Sequence, residues 1–283
     1  MSLVFKSNVA EKKEMSLNDI QSVSLEILNH LHDFCVDNGI KYSLGYGSLI
    51  GAIRHKGFIP WDDDVDVVML RKDFDRFCEL YRDNSNFKLF SFSRGNTYST
   101  LARLCEIKKT FVETGSPLFT EPAGVWIDIF PLDNVSEDKS EFIELSKKII
   151  KANEAVYRCR WRMRHFRLRN IFHIRSLIDW ILHVRNARKN IKKAVEVHNN
   201  LCLSMADQES TRMSMLVLPV YIDRDYSPKS VFEDVVDAPF ESGRYKVMKG
   251  YDEWLTMIYG DYMTLPPIEK RKRGHSIHKY FWK

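Results

Sequence analysis

Four aspartates stand directly in front of a run of apolar residues that has the length of a strand: Asp62, Asp63, Asp64 and Asp66. Like charges this close repel and raise one another's pKa unless something positive lies between them, and a divalent cation meets that need. Because a strand alternates its faces, Asp62, Asp64 and Asp66 share one face if strand geometry starts early enough, and Asp63 then points away. The stretch predicts a cation-binding edge, with a solvated acidic turn as the alternative.

A Gly-Ser loop lies upstream of the aspartates. Gly47 and Ser48 end a short strand, and one or two helical turns follow them. Backbone N–H groups, a hydroxyl and the start of a helix suit a phosphate group. Arg54 and Lys56 lie between this loop and the aspartates, where they contact the same phosphates or, alternatively, face solvent.

A further carboxylate, Asp128, interrupts the otherwise apolar stretch 125–130. An unpaired charge inside such a strand costs several kcal/mol, so we expect its strand to lie beside Asp64 and Asp66. Carboxylates arranged in this way can hold the metal ions that stabilise a phosphoryl displacement. The alternative is an aspartate facing solvent on an edge strand. Asp133, which follows a proline, is predicted to lie in a turn.

The order of the predicted elements indicates an α+β protein. A capping box at Ser16 and Asp19 begins a helix that Gly39 ends. The rest of the pattern predicts strands at 40–44, 65–70, 88–93, 100–107, 110–113 and 125–130, a helix at 73–81, long helices over 139–205, a hairpin near 232–247 and a helix at 251–259. We divide the chain into a catalytic core at 16–138, a basic helical segment at 139–206 and a segment completing the core at 207–283.

Charge is distributed unevenly. The net charge is only +5, which does not indicate a nucleic-acid partner. Twelve Arg and Lys residues against a single Asp fall within 158–193, however. We expect this segment to form a platform on an anionic membrane surface, a groove for a phosphate-rich polymer, or a solvated helical hairpin. Widely spaced cysteines predict a reduced, cytoplasmic protein, and no apolar run is long enough to span a bilayer.

Three stretches of the sequence resemble those of a known protein family. The stretch from Gly47 to Val67 is very similar to the corresponding stretch of the LicD family of phosphocholine transferases. A second similar stretch is Trp126-Ile-Asp-Ile-Phe-Pro-Leu-Asp133, and a third is Tyr259-Gly-Asp-Tyr-Met263 followed by Leu265-Pro-Pro267. The resemblance runs from Leu17 to His275 and is weak over 140–230.

The resemblance implies a nucleotidyltransferase core of the DNA polymerase β type, a mixed sheet flanked by helices, here with a helical insertion. It implies dependence on Mg²⁺ or Mn²⁺ and transfer of phosphocholine from CDP-choline to a sugar hydroxyl of bacterial teichoic acid, lipopolysaccharide or capsule. The alternatives are transfer of ribitol-, glycerol- or ethanolamine-phosphate, transfer of a nucleotide, or a non-catalytic glycan- or membrane-binding module. We expect a cytoplasmic enzyme with peripheral contact at the inner face of the membrane, where a lipid-linked acceptor is found.

Carried over by motif, the resemblance also implies site residues. Asp64, Asp66 and Asp128 are the expected catalytic metal ligands, with Asp62 as a further ligand. By the same motif, Gly47 and Ser48 are expected to hold the donor phosphates. Their position in the sequence, rather than the motif, adds Arg54 and Lys56 to the expected donor-binding residues. It also adds Trp61, which with Tyr46, Trp126 and Tyr245 is a candidate aromatic surface for a quaternary ammonium group or, alternatively, a core residue.

Overall fold

The computed structural model describes residues 13–113, 124–164, 174–271 and 278–283, with backbone alone for 160–164, 174–185 and 188. Its helices are α1 (Leu17–Asp37), α2 (Tyr46–Ile50), α3 (Arg71–Leu80), α4 (Lys139–Arg164), α5 (Ile174–Cys202) and α6 (Tyr251–Tyr259). A π-helical turn, Gly51–His55, continues α2. The strands are β1 (Ser43–Leu44), β2 (Asp66–Leu70), β3 (Phe87–Phe90), β4 (Ala102–Glu106), β5 (Thr110–Glu113), β6 (Trp126–Asn134), β7 (Arg212–Ser214), β8 (Ser227–Pro228), β9 (Val235–Phe240), β10 (Gly243–Met248) and β11 (Lys279–Trp282).

The first helix begins as predicted. The Ser16 side chain accepts a hydrogen bond from the Asp19 amide, and the Asp19 carboxylate accepts one from the Ser16 amide, so both halves of the capping box are present. The buried face of α1 packs on the sheet through residues at helical spacing, including Ile20, Ile27 and Leu31. This helix thereby covers one face of the strands that carry the predicted site.

A seven-stranded sheet forms the centre of the molecule, with the order β1-β2-β6-β4-β3 and with β7 and β8 extending from β6. The β2–β6 pair is parallel, and the other pairs are antiparallel, so the sheet is mixed. Helices flank this sheet, which confirms the predicted α+β class at that level. A separate antiparallel pair joins β9 to β10, where the hairpin was predicted, and another joins β5 to β11.

Strand β6 is longer than the sequence predicted, and the predicted turn at Asp133 is wrong. Asp133 lies in the strand, pairs with Ser214 and is fully buried. Its carboxylate receives two hydrogen bonds from the Arg71 guanidinium, at 2.6 Å and 3.1 Å. This ion pair compensates a charge that burial would otherwise make costly. Burial still raises the pKa of Asp133 to about 6, against the opposing effect of Arg71.

After β6 the chain forms the two long helices α4 and α5, and it rejoins the sheet at β7. They pack against the core through a small apolar cluster that includes Phe142, Ile149 and Cys202, and against each other farther out through Val156 and Ile191. Much of the basic segment 158–193 lies outside the described side chains, so its role stays a prediction. Among the residues described, no helix combines the length and apolar character that crossing a bilayer requires.

Candidate active site

Asp66 and Asp128 lie side by side on adjacent strands. Parallel pairing of β2 with β6 sets Asp66 in register with Asp128, and the Asp128 amide donates to the Val65 carbonyl at 3.0 Å. Residues in register on neighbouring strands point to the same face, with the strands about 4.8 Å apart. The fold therefore brings together the carboxylates of two segments that are distant in the sequence.

The other three aspartates form a loop before β2. Each of Asp62, Asp63 and Asp64 offers a carboxylate oxygen, and these oxygens lie within 4.8 Å of one another. The alternation that would turn Asp63 away required strand geometry from Asp62 onward, and this condition is not met, because β2 begins only at Asp66. A hydrogen bond of 2.8 Å from the Gln21 side chain to the Asp62 carbonyl ties this loop to α1.

Electrostatics single out Asp66 within this cluster. Burial raises the pKa of Asp66 well above its usual value, and the nearby carboxylates of Asp64, Asp128 and Asp62 raise it further. An ionised Asp66 therefore has an unfavourable environment in the protein alone. A bound cation would reverse this effect, because it favours the charged form of each carboxylate around it.

Arg103 is a residue of this site that the sequence analysis missed. It lies opposite Asp128 on β4, and its Nε donates to Asp128 Oδ1 at 2.8 Å. The guanidinium also covers the ring of Trp126 at 4.5 Å, and Trp126 Nε1 donates to Asp128 Oδ2 at 3.2 Å. Although burial opposes it, Asp128 raises the pKa of Arg103. Both oxygens of Asp128 are thus held in place.

Gly47 and Ser48, which were predicted to form a loop before a helix, lie within α2 and contact the aspartates directly. Ser48 is buried, and its Oγ accepts a hydrogen bond from the Asp66 amide at 2.9 Å, which fixes the first residue of β2. A Cβ atom built on Gly47 would lie 2.9 Å from Asp62 Oδ2. The start of α2 therefore packs against the acidic cluster, with only a glycine-sized gap at position 47.

Replacing Gly47 with alanine is expected to leave the fold intact and to impair the site. Alanine favours a helix, and Asp62 can swing away, so we expect the free energy of unfolding to change by less than about 1 kcal/mol. The displaced carboxylate should reduce activity and Mg²⁺ affinity by about 10- to 100-fold. Activity assays and metal titration of Gly47→Ala check this. Because the effect acts through Asp62, adding Gly47→Ala to Asp62→Ala should reduce activity little further; additive losses would contradict the idea.

Three residues predicted to bind the donor lie in or after the π-helical turn, between α2 and the acidic loop. Arg54 donates to the carbonyl groups of Tyr262, at 2.5 Å, and Thr264, which ties the π-helical turn to the segment after α6. Lys56 is exposed, and its Nζ donates to the Ile53 carbonyl at 2.9 Å. Trp61, next to the aspartates, packs its ring beneath the guanidinium of Arg271 at 5.5 Å. Their roles in donor binding stay predictions.

The buried carboxylate of Asp225 contacts the first residue of α2, Tyr46. Tyr46 adopts a positive φ of 43°, and its hydroxyl donates to Asp225 Oδ2 at 3.2 Å. The same oxygen accepts a hydrogen bond from the Met215 amide, whereas Asp225 Oδ1 is buried and has no hydrogen-bond partner among the residues that the structure describes. Burial raises the pKa of Asp225 to about 6. Ionised Asp225 therefore destabilises the folded state above that pH.

Asp225→Asn is expected to stabilise the protein in a pH-dependent way. The folded pKa exceeds the unfolded value of about 3.9, so the stability from a neutral Asp225 is lost as pH rises from about 4 to about 6. Asparagine keeps an acceptor for Tyr46 without the charge, so the free energy of unfolding at pH 8 should rise by about 2 kcal/mol. Urea unfolding at pH 4 and pH 8 measures this. The exposed neighbour Asp223→Asn should show no such pH dependence; a stabilisation equal at both pH values would contradict the assignment.

The part of the chain that carries this site matches a known protein family. A sequence profile described as the LicD/FKTN/FKRP nucleotidyltransferase domain matches residues 39–162. The Haemophilus influenzae protein named lipopolysaccharide cholinephosphotransferase LicD is 31% identical over 282 residues, which cover 95% of this chain and 99% of that relative. The chain belongs to the LicD family. The acidic loop, Asp66, Arg103 and Asp128 all lie within the part of this LicD-family protein that the profile matches.

A shorter similarity connects the LicD-family chain to animal proteins. The human and mouse proteins named ribitol 5-phosphate transferase FKRP are each 48% identical to it over 44 residues. That match covers 16% of this chain and 9% of each relative. It is local, in contrast to the match with the Haemophilus protein.

Proposed function

We propose that this LicD-family protein is a transferase that moves phosphocholine from CDP-choline to a hydroxyl group of a cell-surface glycan. The observation that supports it is the in-register pair of Asp66 and Asp128 beside the acidic loop, in a chain that matches a lipopolysaccharide cholinephosphotransferase along almost its whole length. We further propose that the mixed sheet is a nucleotidyltransferase core of the polymerase β type, since two of its adjacent strands carry the acidic pair.

A divalent cation, Mg²⁺ or Mn²⁺, fits the donor atoms of this site. Carboxylate oxygens of the loop converge within 4.8 Å, and burial together with the neighbouring carboxylates raises the pKa of Asp66. Hard cations prefer such oxygen ligands. We propose Asp62, Asp64, Asp66 and Asp128 as ligands. A bound cation would supply charge stabilisation for the phosphate groups of the donor.

The residues of the chain would perform the remaining tasks. Gly47, Ser48, Arg54 and Lys56 would hold the donor phosphates, and one of the site carboxylates would accept the proton of the acceptor hydroxyl. As that hydroxyl oxygen bonds to the phosphorus that carries choline, the bond from phosphorus to the CMP oxygen breaks, and CMP leaves. Arg103 would keep Asp128 oriented throughout, because its guanidinium is fixed between Asp128 and the Trp126 ring.

The partners and the cellular location remain part of the proposal. The Haemophilus relative is named for lipopolysaccharide, so we propose a glycan or lipid-linked glycan as the acceptor. We place the protein in the cytoplasm, with peripheral contact at the inner face of the membrane, and propose no nucleic-acid partner.

Product analysis tests the proposed reaction. Purified protein with Mg²⁺, CDP-choline and a hexosamine-containing acceptor glycan should release CMP, and EDTA should stop the release. Chromatography separates the CMP product from CDP-choline. Release of pyrophosphate from a nucleoside triphosphate instead would indicate nucleotide transfer. Calorimetry that shows no metal-dependent nucleotide binding would favour a non-catalytic binding module.

A second candidate is transfer of a different phospho-alcohol. The local similarity to ribitol 5-phosphate transferase FKRP favours ribitol phosphate as the alternative group. Thermal unfolding with CDP-choline, CDP-ribitol and CDP-glycerol distinguishes these donors, because a ligand that binds the folded state raises the melting temperature. We expect the largest rise with CDP-choline; a larger rise with CDP-ribitol would support the alternative.

A further inference from the structure

A cavity lies at the other end of β2 from the aspartates. Its volume is about 740 Å³, and its walls come from Leu70, the first turns of α3, and the segments around β7 and β8. The length of β2 separates it from Asp66 by roughly 13 Å, at about 3.3 Å per residue. The cavity is therefore separate from the proposed transfer site, and the proposed function assigns no role to it.

The cavity is basic. Five basic side chains line it against the two carboxylates of Asp73 and Glu233, and the basic residues are Lys41, Lys72, Arg76, Arg212 and Lys229. Several of these cations have neutral hydrogen-bond partners: Lys41 Nζ donates to the Glu233 carbonyl at 3.0 Å, Arg76 to the Gly39 carbonyl at 3.3 Å, and Lys229 to the Asn134 side chain at 2.9 Å. Positive charge thus exceeds negative charge among the side chains that line this cavity.

The start of α3 adds to this imbalance. Leu70 occupies the N-cap position and provides no side-chain hydrogen bond to the first turn. Lys72 lies in that turn, where the helix dipole disfavours a positive charge and favours an anion. Asp73 has the favourable sign, but its carboxylate already accepts the Lys41 amide at 3.2 Å. An anion in the cavity would satisfy both the helix terminus and the surrounding cations.

We propose that this cavity binds the phosphate group of a phosphate ester. Exposed Lys72 and Arg76 on α3 line it together with Lys41 and Lys229, and Ser230 is a further lining residue. Lys and Arg side chains bind phosphate through charge-assisted hydrogen bonds. The volume accommodates the phosphate together with one attached sugar or nucleoside. The ligand is therefore a sugar phosphate or a nucleotide, which share this chemistry.

Phosphate binding to the metal-free protein tests the proposal independently of transfer activity. Titration of the full chain with inorganic phosphate in EDTA, followed by phosphorus NMR, should show saturable binding. Lys72→Gln combined with Arg76→Gln should weaken it at least about 10-fold, because two charge-assisted contacts are lost. The control is Lys147→Gln combined with Lys148→Gln, which removes the same charge from an exposed part of α4 and should leave binding unchanged. Absence of saturable binding, or equal weakening in both double variants, would overturn the proposal.

The source of the phosphate is distinguished by competition. Glucose 6-phosphate and CMP are each added to the phosphate-bound protein. Displacement by the sugar phosphate alone assigns the cavity to a phosphorylated glycan, and displacement by CMP alone assigns it to a nucleotide. Displacement by both supports a site that recognises the phosphate group itself. Displacement by neither would overturn the proposal, because a site for phosphate esters must accept one of them.

Discussion

Asp66→Asn protein is expected to be inactive and, in the absence of metal, more stable than the wild type. Asparagine keeps the size of the side chain but removes a charge that burial and three neighbouring carboxylates disfavour. We expect transfer activity to fall at least about 1,000-fold, as is typical when charge stabilisation of a transferred group is lost. In EDTA at pH 8 we expect the melting temperature to rise by several degrees.

The sign of the stability change follows from the raised pKa of Asp66. A carboxyl group whose pKa is higher in the folded state stabilises that state while it is neutral, and this stabilisation is lost as pH rises. Asp66→Asn should therefore raise the stability of the metal-free protein most at high pH. Addition of Mg²⁺ should stabilise the wild type and leave Asp66→Asn nearly unchanged. Substantial remaining activity, or a lower melting temperature in EDTA, would contradict the assignment of Asp66 as a metal ligand.

Arg103→Gln is expected to reduce both stability and activity. The substitution leaves the buried Asp128 carboxylate without its cation, which typically costs about 3–5 kcal/mol. Because Asp128 also loses the group that orients it, we expect activity to fall about 100-fold. Denaturant unfolding and CMP release measure the two effects.

Combination with Asp128→Asn separates these effects. The double variant has no buried charge at either position, so most of the lost stability should return, whereas activity should stay low. Arg94→Gln is the matched control, since its ion pair with Asp83, at 3.0 Å, is more exposed. That substitution should cost less than about 1 kcal/mol and leave activity unchanged. Full activity in Arg103→Gln would rule out a positioning role for this arginine.

Features that depend on residues close together in the sequence were predictable. The capping box at Ser16 and Asp19 marked the start of α1, because both partners lie within one helical turn. The apolar run after the aspartates predicted β2, and Gly260 marked the end of the predicted α6, which spans Tyr251–Tyr259 as expected. The position of Asp128 beside Asp66 was also predicted, because a buried charge needs compensation and few candidates were available.

Apart from the pairing of Asp66 with Asp128, features that depend on strand register were not predictable. Arg103 meets Asp128 only because β4 pairs antiparallel with β6, and no local pattern gives that register. Pro131 suggested that the strand ended before Asp133. In the structure, pairing with β4 stops at Ile129 and pairing with β7 starts at Asp133, so the proline breaks no ladder hydrogen bond on that side.

The way in which α4 and α5 join the sheet has a consequence for engineering. Asn134 of β6 pairs with Met213 of β7, so the two ends of the helical excursion are neighbours, and Val156 and Ile191 meet again farther along it. A short connector could therefore bridge the helices just beyond these two residues without disturbing the apolar cluster beneath them. The strongly basic stretch of sequence between them would then be an exchangeable module, which could be trimmed or grafted between relatives while the aspartates remain in place.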